Sequence, residues 1–283
     1  MADIDPSLKP GELAPAPGGA YKFDAQEFPW WLVGMLLIIA GMVTAVLFTE
    51  AYQEAFENIF PIPFNFTQGI MLTLYLTIGS FVVAVGVGLL LGLARTSNSA
   101  FARNASALYI EFVRGIPMLV FIFTVALVLA PDFADLINQP SRSIPQVLRV
   151  GAALSLFYAA FIAEVFRAGI QSVPESQREA ARALGLTQRQ IMRKVVLPQA
   201  VRNMLPALGN DLISLMKDTS LVSVMAVREI TQLARLYSGS SFRFRESFFI
   251  LVVLYVVLTL ALSLLLQWYE KRIAIPGHGP QLN

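Results

Sequence analysis

The chain has 283 residues, of which 56% are hydrophobic and only 14% charged, and its formal net charge is +2. So apolar a composition excludes an ordinary soluble domain, and a small charge spread thinly over 21 basic residues leaves no footprint for nucleic acid. With no cysteine there is no disulfide framework, thiolate nucleophile or cysteine metal site, and the lone His278 sits in a Gly/Pro-rich tail.

Residues 1–28 hold Pro10, Pro15, Pro17, Gly11, Gly18 and Gly19 with little apolar content and read as a flexible tail without chemistry. The apolar run that follows is too long for a signal-peptide core and reads as a retained helix. Crossing a hydrocarbon layer of roughly 30 Å takes about 20 apolar residues. Stretches of that kind fall at 29–49, 67–94, 106–130, 147–171, 207–227 and 246–268, which predicts an all-α integral membrane protein of about six transmembrane helices. The fifth stretch is interrupted by Asp211, Lys217 and Asp218, so it must face protein or a watery cavity rather than lipid.

Orientation follows from the Lys and Arg residues beside the spans. The loop 172–206 carries Arg178, Arg182, Arg189, Arg193, Lys194 and Arg202 and is expected in the cytoplasm, with Arg95, Arg103, Lys271, Arg272 and both chain termini. The segment 50–66 has Glu50, Glu54 and Glu57 and no basic residue, and falls outside. The segment 228–245 conflicts with this topology, because Arg228, Arg235, Arg243 and Arg245 then lie on the outer side. Either it packs on a partner there, or it is an exception to a statistical rule.

Within the cytoplasmic loop, Ser176-Gln177-Arg178-Glu179 has the form of a capping box and predicts a helix start. That helix runs through Ala180, Ala181, Arg182, Ala183 and Leu184 and stops at Gly185, which tolerates a left-handed backbone. Thr187-Gln188-Arg189-Gln190 is a second box. It opens a helix with Ile191, Met192, Val195 and Val196 on one side and Arg189, Arg193 and Lys194 on the other, which Pro198 is expected to end or kink. The expectation is a helix–glycine turn–helix hairpin at the membrane surface, either a mere connection or a docking device.

Glu179-Ala180-Ala181, then Gly185, then Leu197-Pro198 resemble the E-A-A-x-x-x-G-x(9)-I-x-L-P signature of permease subunits of bacterial ABC importers, with Val195 in place of isoleucine. Residues 109–117, 163–171 and 214–224 look like the polar amino-acid uptake subgroup of the MetI-like permeases, and the likeness covers about 64–272. It implies a five-helix type I importer core preceded by one extra helix at 29–49, with a C-terminal tail at 273–283. It further implies that Glu179, Ala180, Ala181, Arg182, Leu184 and Gly185 in the coupling loop 174–206 dock on a cytoplasmic ATPase dimer. The remaining implied partners are a second permease subunit (this chain or a sister), a periplasmic solute-binding protein, a polar amino acid and membrane lipid. The chain has no G-x-x-x-x-G-K-[ST] loop, so ATP and Mg belong to the partner ATPase and no cofactor is expected here.

Glu111 with Arg114, and Glu164 with Arg167, share a three-residue spacing that puts each pair on one helix face. They read either as structural ion pairs or as an inner gate. Lys217 and Asp218 lie about ten residues into the fifth span, roughly 15 Å deep, with Thr219 and Ser220 following and Tyr158 at similar depth on the span before. This group either meets the two charges of a zwitterionic amino acid or neutralises other helices. Thr73, Thr77 and Ser80, with Gly88-x-x-x-Gly92 below them, read as helix packing. An ion-gradient-driven secondary transporter is the competing class, but it has no need of the hairpin. No nucleophile–base group or metal-ligand cluster speaks for an enzyme.

Overall fold

The computed structural model describes residues 30–59, 69–140 and 143–273. The expected tail at 1–28 and residues 274–283, with His278, lie outside the described residues. Helix α1 (Trp30–Phe48) is apolar around its whole circumference, with Leu36, Leu37, Ile38 and Phe48 exposed as befits a lipid-facing rod. At Thr49 the chain turns by 87° into α2 (Glu50–Ile59), so the first ten residues of the expected outer segment are helical. Helix α2 is amphipathic: Ala55 and Ile59 are buried, while Glu50, Glu54 and Glu57 face out.

Helices α3 (Ile70–Arg95) and α7 (Gln146–Gln171) form the closest pair in the bundle. Glycine makes this possible. A Cβ on Gly88 would fall 2.7 Å from Ile162 Cγ2, and one on Gly92 2.8 Å from Phe166 Cβ. The Thr73, Thr77 and Ser80 stripe is buried as the packing reading expects: Ser80 Oγ donates to the Gly151 carbonyl across the pair at 3.1 Å.

Between them the chain departs from the expected 106–130 span. Helix α4 (Ala100–Arg114), capped by the Ser99 side chain, ends before Gly115-Ile116-Pro117. Pro117 lacks an amide proton and disfavours a helical residue before it, which breaks the run. The span-length helix is Met118–Leu136, made of α5 (Met118–Phe123), a π-helical turn Thr124–Leu129 and α6 (Ala130–Leu136).

After α7 come α8 (Glu175–Ala183), α9 (Gln188–Ile191), a π-helical turn Met192–Val196 and α10 (Leu197–Asp218). These last three make one continuous rod, so the fifth helix starts well before the expected residue 207 and Pro206 lies inside it. Pro198 does not end it. The π turn already replaces the ordinary bonding pattern there, and Gln199 donates its side-chain amide to the Val195 carbonyl at 3.0 Å. A rod of about 45 Å exceeds a hydrocarbon layer of roughly 30 Å.

A 3-10 segment (Thr219–Met225) leads from α10 to α11 (Ile230–Ser241) and α12 (Phe244–Ile273). Four helices among the described residues are long and apolar enough to cross a membrane: 70–95, 118–136, 146–171 and 244–270. The bent α1–α2 pair makes up to five. Helix α10 is too polar to count by composition; it packs instead between α7, α3 and α12. The core has two parts, the large one centred on α7 and a smaller one where α1 and α2 meet α11 and α12 through Val46, Ala55, Ile59, Ile230, Ile250 and Val253.

Candidate functional site

Helix α8 begins one residue before the expected capping box. Pro174, with extended backbone, takes the N-cap position, no side chain caps, and Ser176 lies inside the helix. A proline held at φ −56° already aims the chain into a helix. Glu175 then sits in the first turn and pairs with Arg182 at 3.0 Å and Arg178 at 3.7 Å. Gly185 follows at φ +76°, a left-handed conformation that costs a residue with Cβ about 1–2 kcal/mol. The second box forms as expected: the Thr187 side chain accepts from the Gln190 amide, and the Gln190 side chain accepts from the Thr187 amide at 2.8 Å.

The hairpin is fastened to the bundle from below and open outward. Arg178 donates to the Ile170 carbonyl at 2.7 Å, Gln199 to the Gln177 side chain at 2.7 Å, and Ala181, Ile191 and Val196 are buried. Glu179, Ala180, Arg182 and Gly185 are exposed, and Leu184 is 81% exposed. Glu179 makes no ion pair among the described residues. A groove of about 410 Å³ lies between the two helices, lined by Ser176, Gln177, Ala180, Ala181, Leu184, Leu186 and Val195. Beside it a concavity of about 420 Å³ is lined by Thr187, Arg189, Gln190, Arg193 and Lys194. A largely apolar cleft floored by two alanines, with a cationic concavity beside it, suits a protein surface that inserts a short segment.

The second set of residues lies where α7 crosses α10. Tyr158 donates its hydroxyl to Asp218 Oδ2 at 2.6 Å. Thr219 is buried and its hydroxyl donates to the Met216 carbonyl. Ser220 is half-buried, while Lys217 is exposed and turned away from the pair. The expected grouping therefore comes together at Tyr158 and Asp218 and not at Lys217, because adjacent residues on a helix point about 100° apart.

Glu164 accepts from Arg167 at 2.6 Å and lies 3.9 Å from Arg95 on α3, and Arg167 also donates to Gln171 at 2.6 Å. Glu111 and Arg114 form no such pair. Both are exposed, and the Arg114 guanidinium sits 5.5 Å from the Phe161 ring centroid instead. The break at Gly115–Pro117 ends α4 directly after Arg114, which frees that side chain to turn onto α7. The sequence reading had not singled out this aromatic seat, built from Phe121, Phe157, Tyr158 and Phe161 with centroids 5.3 to 6.2 Å apart. The spacing of Phe157 and Phe161, four apart on one helix face, was the available signal. Asp211 was also missed as part of the group. It lies two turns before Asp218 on the same face of α10, and its Oδ2 has no hydrogen-bond partner among the described residues.

At the end of the bundle opposite the hairpin, the starts of α3 and α7 converge on residues 225–229, with Tyr255 of α12 beside them. Gly69 donates to the Arg228 carbonyl at 2.9 Å, Gln146 to the Met225 carbonyl, and the Ile230 amide to Thr73 Oγ1 at 3.3 Å. Glu229 is fully buried there and caps α11, accepting from the Thr231 and Gln232 amides at 2.9 and 2.8 Å and from the Tyr255 hydroxyl at 3.3 Å. Burial pushes its carboxyl up to about 7, against the pull of those donors.

Comparison with known proteins fits this arrangement. Residues 84–275 match the family model described as "Binding-protein-dependent transport system inner membrane component". The chain is 33% identical over 209 residues to the probable amino-acid permease protein YxeN of Bacillus subtilis, covering 74% of this chain and 91% of that one. It is 34% identical over 208 residues to the glutamine transport system permease protein GlnP of Escherichia coli, covering 74% and 92%. Among solved structures it superposes on an amino acid ABC transporter crystallised with histidines, with a TM-score of 0.65, 32% identity and coverage of 82% and 98%. A methionine ABC transporter in an inward-facing conformation, at TM-score 0.61 and 22% identity, shares the fold. The chain belongs to the family of binding-protein-dependent transport system inner membrane components.

Proposed function

We propose that this chain is the permease subunit of a bacterial ABC importer for a polar amino acid. Two permeases, this chain with itself or with a sister, enclose the pathway in the inner membrane. A cytoplasmic ATPase dimer holds ATP and Mg and drives it, and a periplasmic solute-binding protein delivers the substrate. The observation that carries the reading is the groove at the hairpin: Ala180 and Ala181 leave room for a partner helix or loop, Leu184 offers an apolar knob, and Glu179 and Arg182 offer charge at the rim. The hairpin end and both chain termini are cytoplasmic in this reading, and residues 64–272 form the importer core.

Tyr158 and Asp218, beside the Phe161–Arg114 seat, are the part of the pathway best suited to a zwitterion. The carboxylate suits an ammonium and the guanidinium a carboxylate. Lys217, Thr219 and Ser220 border it, and Glu164 with Arg167 and Arg95 forms the inner gate. The relatives named for amino acids and for glutamine support the substrate class.

The test is ATP hydrolysis by the complex reconstituted with its binding protein, measured against a panel of amino acids, sugars and peptides. Stimulation by one polar amino acid or a small set is expected. A response to sugars or peptides but to no amino acid would overturn the substrate class, and uptake without the ATPase would overturn the mechanism.

A further inference from the structure

Among the described residues Glu229 is the only acidic or basic side chain that is completely buried, and neither the hairpin nor the Tyr158–Asp218 group uses it. It sits at a junction of chain ends. The Gly69 amide, just before α3, donates to the Arg228 carbonyl and the Ile230 amide to Thr73 Oγ1, so the start of α3 is bonded to the start of α11. Glu229 adds α12. Its Oε1 accepts from the Gln232 amide and its Oε2 from both the Thr231 amide and the Tyr255 hydroxyl, and that hydroxyl lies 3.1 Å from Thr231 Oγ1.

No cation balances this carboxylate. None of the described Lys or Arg side chains lies within ion-pair distance of it. Arg228 directly before it and Arg235 on α11 are exposed, and Glu54 of α2 is exposed and bonded to Arg243. The other elements bring neutral groups to the junction: Thr73 from α3, Gln146 from α7, Thr219 and Ser223 from the 3-10 segment. The Tyr255 hydroxyl is thus the one titratable group in contact with it. Burial raises the carboxyl to about 7, whereas in water it would titrate near 4.5.

We infer that Glu229 is a proton-dependent latch on the end of the bundle opposite the hairpin: with its proton on it keeps the ends of α3, α11 and α12 packed, and with its proton lost it lets them part. Protonated, the carboxyl donates to the Tyr255 oxygen instead of accepting from it, and the tyrosine hydroxyl turns to Thr231 Oγ1, so the junction stays bonded with no buried charge. Ionised, it leaves a charge in a dry site without a counter-ion. A state in which water reaches Glu229 binds the proton less tightly. The packed end therefore has its full proton-linked advantage below about 4.5 and has lost it once the pH rises through about 7. From about pH 6 to about pH 8 the parted state gains about tenfold on the packed one. In the importer reading this end is the outer mouth of the pathway, and the effect on transport rests on that reading.

The latch is tested by amide hydrogen exchange on the complete permease–ATPase complex in lipid nanodiscs, corrected for the intrinsic pH dependence of exchange. Protection of the Gly69, Ile230, Thr231 and Gln232 amides is expected to fall about tenfold between about pH 6 and about pH 8 in the wild type, and to stay level in Glu229→Gln, which keeps the shape and cannot ionise. Tyr255→Phe removes a donor that favours the carboxylate, so it should move the fall to higher pH, and this readout stands even if the glutamine variant does not fold. Protection that is level with pH in the wild type, or a fall that the tyrosine variant leaves in place, would overturn the latch. Uptake into proteoliposomes of fixed internal pH, with binding protein outside, then tests the transport effect. Lowering the outer pH from about 8 to about 6 should slow the wild type several-fold more than Glu229→Gln. Equal slowing would overturn the latch as a control of the pathway. A wild type that takes up no amino acid at any pH would overturn the importer reading, and the exchange data would then decide the latch by themselves.

Discussion

Gly92 is where α3 comes against the backbone of α7, and its meaning was readable from the four-residue spacing with Gly88 alone. The structure adds which atoms press: a Cβ at 92 would meet Phe166 Cβ at 2.8 Å and the Ala163 carbonyl at 3.0 Å, neither of which is the tip of a flexible side chain. Gly86, six residues away on the same helix, would meet nothing within 4 Å. Gly92→Ala is therefore expected to destabilise the detergent-solubilised protein by about 1–3 kcal/mol. Gly86→Ala should stabilise it by up to about 1 kcal/mol through helix propensity. Thermal unfolding of the two variants side by side checks this, and an equal response would refute the close approach of α3 and α7. Glu229 shows the opposite case. Its burial depends on Gly69 and Thr73 arriving from far along the chain, and no local pattern announces that, so the sequence offered only a charged loop residue.

At the scale of elements, local signals succeeded where one residue dominated its surroundings and failed where neighbours competed. Thr187 and Gln190 formed their box because nothing else contended for those amides. Ser176 lost its place because Pro174, two residues earlier, had already set the helix in motion. The 106–130 stretch is apolar enough to read as one span, yet Pro117 lacks an amide donor and breaks it into α4 and the helix Met118–Leu136. The turn at Gly185 was readable, and its open surroundings make it a clean test of backbone shape. A Cβ there meets nothing of this chain within 4 Å, so within the chain only φ +76° penalises it. Gly185→Asn, which tolerates the left-handed region, should keep transport near wild type. Gly185→Val should misplace Leu184 and Glu179 and cut binding-protein-stimulated ATP hydrolysis about tenfold or more, given a strain of about 1–2 kcal/mol spread over the docking face. Equal activities of the two variants would separate the turn from coupling.

Over the whole molecule, the continuous rod from Gln188 to Asp218 joins what the sequence had left as separate features. Its lower end carries the hairpin groove, its upper end the Asp218 carboxylate held by Tyr158, and the 3-10 segment beyond it leads to Glu229 and the opposite face. The family resemblance and the hairpin were legible from motifs. The rod was not, because Pro198 and Pro206 argue locally against a helix that tertiary packing on α7 and α12 sustains. A stiff element between drive and site transmits displacement, whereas a hinged one absorbs it. Inserting Gly-Gly between Val196 and Leu197 is thus expected to leave the complex assembled and its basal ATP hydrolysis intact. The same insertion should abolish the extra hydrolysis and uptake that substrate-loaded binding protein elicits. Measuring basal and stimulated rates on one preparation isolates the effect, and stimulation that survives the insertion would mean that force reaches the pathway by another route, through α8 and α7.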